Sequence, residues 1–212
     1  MSETTQVDFW FDPACPWAWQ TSRWVREVQK VRPISVRWHL MSLTVLNEDK
    51  DIPDEYREGI KSTIRSVRVF AAAADKYGEQ ILDPLYVALG TRLHPQQPPE
   101  KWDEWRERLD DMIVDSLASL DLDPDLAKAQ WSEEFDQAVR VSHNKGIGLV
   151  GQEVGTPIIS VGGTAFFGPV ISSSLKGEDA GRLWDGVLLV AGTEGFYELK
   201  RSRTISRPIF DY

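Results

Sequence analysis

Val7-Asp8-Phe9-Trp10-Phe11-Asp12-Pro13-Ala14-Cys15-Pro16-Trp17-Ala18 is the stretch whose reading decides the fold. Val7 to Phe11 is a short, nearly continuous apolar run stopped by Asp12-Pro13, the pattern of a central strand covered on both faces. Beyond it Trp17, Thr21, Trp24, Val25, Val28 and Val31 recur at helical spacing, while Arg23, Arg26, Gln29 and Lys30 fill the other face. A helix therefore opens near Cys15. Ile34, Val36, Trp38 and Leu40 then alternate with Ser35, Arg37, His39 and Met41, the period-two signature of a half-covered strand. The chain opens strand, helix, strand.

From Thr44 to about Val150 the pattern is helical, with no convincing strand. Pro53-Asp54-Glu55 starts one helix, lined by Tyr56, Ile60, Ile64, Val67, Phe70, Ala74 and Tyr77 and ended by Gly78. Asp83-Pro84 and Asp123-Pro124 each read as an N-cap with proline in the first turn, opening segments that close near Leu93 and Trp131. Trp102, Trp105, Leu109, Ile113, Leu117 and Leu120 repeat at helical spacing between them, and Ser132 caps a further helix carrying Phe135, Ala138 and Val139. Strand character returns at Pro157-Ile158-Ile159-Ser160-Val161 and Thr164-Ala165-Phe166-Phe167. Between them Gly162-Gly163 makes the clearest turn in the sequence, because both glycines tolerate positive φ. A last helix over Glu178 to Ala191 turns Leu183, Val187 and Val190 inward. Strands split by a helical block imply an α/β arrangement around one mixed sheet.

The chain has 212 residues, 42% of them apolar, enough to bury a sizeable core. Its 33 acidic residues outnumber 24 basic ones, and a formal charge of -9 disfavours both nucleic acid and anionic lipid as partners. No apolar run is long enough to suggest a membrane span. The opening Met1-Ser2-Glu3-Thr4-Thr5-Gln6 has no basic segment ahead of an apolar stretch, so a cytoplasmic location is expected. A single cysteine excludes an internal disulfide and every multi-cysteine zinc motif.

That cysteine carries the chemistry. Cys15 stands between a buried strand and an amphipathic helix that begins at Pro16, where unpaired N–H groups and a partial positive charge favour a thiolate. The expectation is a nucleophilic sulfur with a depressed pKa. The same residue also fits inert packing, since free cysteine is among the most buried residue types.

Phe9-Trp10-Phe11-Asp12-Pro13-x-Cys15-Pro16-Trp17, the later Gly155-Thr156-Pro157 and the helical block between them resemble the DsbA-like branch of the thioredoxin superfamily. Six further segments are similar to the actinobacterial mycothiol-dependent nitroreductases. They are Trp19-x-Thr21-Ser22-Arg23-Trp24, Met41-Ser42-Leu43-x-x-Leu46-Asn47-Glu48, Tyr56-Arg57-Glu58-Gly59, Asp83-Pro84-Leu85-Tyr86, Phe166-Phe167-Gly168-Pro169-Val170 and Glu198-Leu199-Lys200-Arg201. They come in the same order and span almost the entire chain. The resemblance implies an α/β, thioredoxin-like fold with a large all-helical insertion: residues 1–43 and 151–212 form the thioredoxin-like domain and 44–150 the insertion. It also implies a nucleophile at Cys15, flanked by Pro16 and Trp17 and facing a cis-proline at Thr156-Pro157. Trp17, Ala18, Thr156 and Pro157 would then meet a low-molecular-weight thiol, mycothiol rather than glutathione, and Asn47, Tyr56 and His94 would shape a pocket for an electrophilic substrate. From the residues alone Asn47 also reads as a turn residue, Tyr56 as a helix-core aromatic and His94 as the end of a helix before Pro95. The resemblance allows a homodimer.

Many such relatives carry Cys-Pro-Trp-Cys, whereas this chain has Ala18 where the resolving cysteine would sit. A mixed disulfide on Cys15 then has no internal thiol to expel the partner, so a second free thiol must do so, which is a monothiol mechanism. Two rivals share the pattern: a kappa-class-like glutathione or mycothiol transferase or isomerase, and a non-catalytic thiol-binding protein. Gly146-Ile147-Gly148-Leu149-Val150-Gly151 has G-x-G-x-x-G spacing but follows a helix and precedes a strand, the reverse of a dinucleotide site, so no nucleotide cofactor is expected. It reads instead as a helix end passing close to the sheet. His39, His94 and His143 are scattered and predict no metal site. Ser172-Ser173-Ser174 lacks a hydrolase context and reads as loop or cap.

Overall fold

A computed structural model describes residues 4–97, 99–101, 104 and 107–211. Strand β1 (Thr5–Phe11), helix α1 (Pro16–Gln29) and strand β2 (Ile34–Leu40) form the opening unit. The helical stretch contains α2 (Leu43–Leu46), α3 (Asp54–Lys61), α4 (Thr63–Tyr77), a 3-10 turn (Glu79–Ile81), α5 (Leu82–Leu93), α6 (Leu109–Ala118), a 3-10 segment (Pro124–Trp131) and α7 (Asp136–Val150). Strands β3 (Ile158–Val161) and β4 (Thr164–Phe167) and helix α8 (Gly177–Ala191) complete the chain.

The strands form one 4-stranded sheet in the order β2-β1-β3-β4. β1 and β2 are parallel, with Thr5 opposite Ile34 and Phe11 opposite Leu40. β3 runs antiparallel to both of its neighbours, and Gly162 and Gly163 at φ +57° and +85° make the tight hairpin to β4. Central β1 is covered on both faces, as its continuous apolar run predicts. Val7, Phe9 and Phe11 enter the main core with Trp19, Trp24, Trp38, Phe70 and Tyr86, while Trp10 turns the other way to join Met41, Leu46, Ile147 and Ile158. On the first face α1 meets α8, where the Trp24 indole N–H donates to Ala180 O at 3.1 Å and the Trp24 and Trp184 rings lie 5.7 Å apart.

Of the glycines in the 146–151 series, Gly146 serves packing and Gly151 ends the helix. A Cβ on Gly146 would stand 2.7 Å from the Trp10 ring, so α7 reaches the sheet only with glycine there, and Gly151 at φ +89° ends that helix.

Several expected boundaries are corrected. The single helix from Pro53 to Gly78 is two helices, broken at Ser62, and Tyr56 lies on the first of them. Asp83 lies inside the first turn of α5 and does not cap it, because the preceding 3-10 turn already feeds the helix. Asp123 does cap, accepting from Asp125 N–H at 2.9 Å, but the segment it opens winds as a 3-10 helix. The Ser132 hydroxyl accepts from Glu134 N–H at 3.2 Å, yet α7 begins only at Asp136. In α8 the deepest side chains are Ala180 and Trp184, with Leu183, Val187 and Val190 half-buried beside them. Trp102 and Trp105 lie outside the described residues. Leu109, Ile113 and Leu117 are buried on α6 as their spacing predicts. Among the described residues the stretch 44–150 contains no strand.

Candidate active site

The site is built where β1 ends. Asp12 closes the strand and folds the chain back: Cys15 N–H donates to Asp12 O at 3.0 Å and Ala14 N–H to Asp12 Oδ1 at 2.9 Å. Pro16, with no N–H to lose, begins α1, and Cys15 becomes the N-cap with its sulfur accepting Ala18 N–H at 3.5 Å. Thr156-Pro157, a cis peptide, faces it, and the Cys15 thiol donates to Thr156 O at 3.6 Å. The Thr156 hydroxyl donates to Trp10 O at 3.4 Å, and Gly168 N–H donates to Pro157 O at 2.8 Å. Cys15, Ala18 and the Thr156-Pro157 pair therefore meet in one place, with Pro16 and Trp17 on the turn between them.

The electrostatics correct one expectation. Cys15 is only 6% exposed, and its thiol is pushed up to about 12 by burial, with the Asp12 charge adding to the rise and the Ala18 and Trp17 N–H groups opposing it. The helix N-terminus does present donors, but a terminal dipole contributes roughly 0.3–2 kcal/mol, and withdrawing a charge from water costs several. In this closed geometry Cys15 is a thiol.

Around it, Trp17 is half-buried, and the Arg203 guanidinium of the C-terminal tail lies 5.1 Å from its ring centre. Tyr56 on α3 is 48% exposed; burial, Cys15 and Asp12 together raise its hydroxyl pKa, so it shares the field of the site. Asn47 is buried at the end of α2, where its side-chain amide donates to Leu43 O at 2.8 Å, the turn role its residue type suggests. His94 is 3% exposed at the end of α5, and its Nε2 lies 2.9 Å from Pro13 O, so it touches the loop two residues before the sulfur. Burial lowers its pKa to about 3, which leaves the ring neutral and Nε2–H the donor. The structure thus brings His94 onto the Cys15 loop, leaves Tyr56 within the electrostatic influence of Cys15 and Asp12, and bonds Asn47 back to Leu43 at the end of α2.

His39 pairs with Asp8 at 2.7 Å, and His143 accepts from Ser42 N–H at 3.4 Å. Among the described residues no group of three His, Cys, Asp or Glu side chains could hold a metal ion. Ser174 accepts from Gln20 at 3.0 Å in a loop. Two residues at the site escaped the sequence. Asp12 read only as a strand stop, although Asp-Pro before a capped helix is a turn signal. Arg203 reaches Trp17 from the far end of the chain, which no local pattern encodes.

Residues 14–201 match the family described as mycothiol-dependent nitroreductase Rv2466c. The chain belongs to the Rv2466c-like family. It is 30% identical over 205 residues to the "Uncharacterized protein Rv2286c" of Mycobacterium tuberculosis, covering 94% of this chain and 83% of that protein. Chlamydia trachomatis DsbA shares its fold at 12% identity and a TM-score of 0.56, over 90% of this chain and 88% of that one. The probable DsbA oxidoreductase SCO1869 of Streptomyces coelicolor does so at 14% identity and 0.54, over 94% of both chains. These likenesses establish a thioredoxin-like fold with a helical insertion, as the family resemblance implies. This member of the Rv2466c-like family is a thiol-dependent oxidoreductase. Among the described residues no helix is long and apolar enough to cross a membrane.

Proposed function

We propose that the protein reduces nitro compounds or related electrophiles with electrons from mycothiol, through Cys15 as its one reacting sulfur. The observation that carries this reading is the Cys15 thiol within 3.6 Å of Thr156 O, with Ala18 and not a second thiol beside it. Family membership supports mycothiol as the electron donor. The polar groups at the sulfur, Thr156 O and the Ala18 amide, suit an incoming thiol that needs orientation more than charge neutralisation.

Cys15 loses its proton and contributes one electron equivalent, a first free thiol contributes the second, and the two sulfurs join as a mixed disulfide. The electrophile takes up two electrons and two protons, so that a nitro group becomes a nitroso group and water. Ala18 supplies no thiol to break the new S–S bond. A second free thiol attacks it, leaves as the symmetrical disulfide and returns Cys15 to its reduced state. Because Cys15 is nearly covered, exchange requires the site to open, and in this reading the half-buried Trp17 on α1 and the exposed Tyr56 on α3 are the side chains that would receive the substrate. The division into 1–43 with 151–212 and 44–150 puts Cys15 and Thr156-Pro157 on one part and Tyr56 and His94 on the other, with the reacting sulfur at the seam. Asn47 contributes as a cap of α2. A free, unpaired thiol and a reduced small-thiol donor suit the cytoplasm of an actinobacterium.

The test is intact mass after incubation with mycothiol disulfide. One mycothiol adduct per chain is expected, absent in Cys15→Ser, together with mycothiol-dependent consumption of a nitroaromatic. Equal or better labelling by glutathione disulfide would move the reading to a glutathione transferase or isomerase, and no adduct with either would leave a non-catalytic binder.

A further inference from the structure

Asp12 is fully buried and tied to three elements at once. Its Oδ1 accepts from Ala14 N–H at 2.9 Å in the Cys15 loop, its Oδ2 accepts from Leu43 N–H at 2.7 Å at the start of α2, and the Thr63 hydroxyl at the start of α4 bonds to it as well. The Thr63 oxygen also lies 2.9 Å from Ile60 O, on the buried residue of the helix that carries Tyr56, and the Thr44 hydroxyl donates to that carbonyl at 2.7 Å. Among the described residues no Lys or Arg pairs with this carboxylate. An uncompensated buried charge one turn away from a buried thiol has a direct consequence, because a thiolate there would put two like charges in one low-dielectric volume.

We propose that Asp12 is a positioning residue with a second effect: it ties the Cys15 loop to α2 and α4, and its negative charge holds back ionisation of Cys15. The proposal rests on Cys15 being the reacting atom. Burial raises the Asp12 carboxyl to about 6, so its charge is present at neutral pH and absent in mild acid. Coupled sites of this kind titrate as a pair. The other ionisable groups facing Asp12 are Cys15 itself, Tyr56 from α3 and Tyr86 from α5. His94 of α5 and His143 of α7 approach the neighbouring backbone at Pro13 and Ser42, and burial lowers them to about 3 and about 4, below the window concerned. His39 of β2 stacks on Trp10 at 4.6 Å.

The experiment follows the rate of Cys15 with 2,2′-dipyridyl disulfide across pH on the full chain, beside a small free thiol. The sulfur attacks the reagent's disulfide, a mixed disulfide forms and pyridine-2-thiol leaves. In log rate against pH the protein is expected to rise with unit slope, run flat over an interval starting near pH 6, and then rise again. Asp12→Asn keeps the Ala14 acceptor and removes the charge; its profile should be a single straight rise, about tenfold faster than the parent at pH 8, the equivalent of about one pKa unit. His39→Gln should keep the flat interval. A straight parental profile overturns the proposal even if Asp12→Asn fails to fold, as does a flat interval that survives in a folded Asp12→Asn. No reaction at any pH, with the small thiol reacting normally, overturns the role of Cys15 itself and the proposal with it.

Discussion

His94 shows how burial fixes a protonation state and, through it, a loop. Neutral because it is enclosed by Trp19 and Phe210, each ring about 5.7 Å away, it offers Nε2–H to Pro13 O and steadies the approach to Cys15. Its proton affinity is lower folded than unfolded, about 3 against 6.5, so its contribution is present above pH 6.5 and is lost as pH falls toward 3. His94→Gln keeps a donor and removes the titration. Denaturant unfolding of both proteins at stepped pH should show the parent losing about 1.4 kcal/mol per pH unit relative to the variant within that window, while His143 titrates in both. A difference that is constant with pH would contradict this. Ala18 allows a second test at the same scale. Its N–H lies 3.5 Å from the Cys15 sulfur, so Ala18→Cys should form an internal disulfide under mild oxidant, read as a mass loss of two hydrogens and disappearance of both thiols. Two free thiols after oxidation would show that this turn holds the pair apart.

Between elements, α1 meets α5 beside the site through the Trp19 ring. Gly90 lies against Trp19, and an added Cβ would stand 2.2 Å from the indole. Neither backbone can yield easily, since Trp19 is fully buried and also packs edge-on to Tyr86 at 5.2 Å. Gly90→Ala should destabilise the fold by about 2–3 kcal/mol through overpacking, in spite of alanine's better helix propensity, whereas Gly148→Ala, with open space around it, should be neutral or slightly stabilising. Urea midpoints decide this, and equal midpoints would mean that the tryptophan has room to move. The strands, α1 and the hairpin were legible because their periods are local and the two turn glycines have one sensible use. The break at Ser62 was not, since Ile60, Ile64 and Val67 keep helical spacing across it and only the tertiary demand on Ile60 O, shared by Thr44 and Thr63, reveals it. The 3-10 winding of Pro124–Trp131 was hidden too, because an Asp123 cap followed by proline in the first turn is the same signal for either kind of helix.

Over the whole molecule, the position of the sulfur was readable from one strand and one helix start, whereas its opposite wall at Thr156-Pro157 came only from the family resemblance. The protonation of the sulfur was not readable. Helix-terminus chemistry is written in residues 15–18, but the enclosure that outweighs it comes from side chains scattered between Asp12 and Phe210. Trp10 stands at the junction of these parts. Its indole N–H reaches Ser142 O at 3.1 Å, its ring rests on Gly146 of α7, and its carbonyl receives the Thr156 hydroxyl. A guest that prised α7 off the sheet would therefore pull, through one indole, on the residue whose carbonyl anchors Thr156 opposite the sulfur. Binding far from Cys15 would then be felt there as a change of aim, and the emission of that ring would report it before any bond had broken.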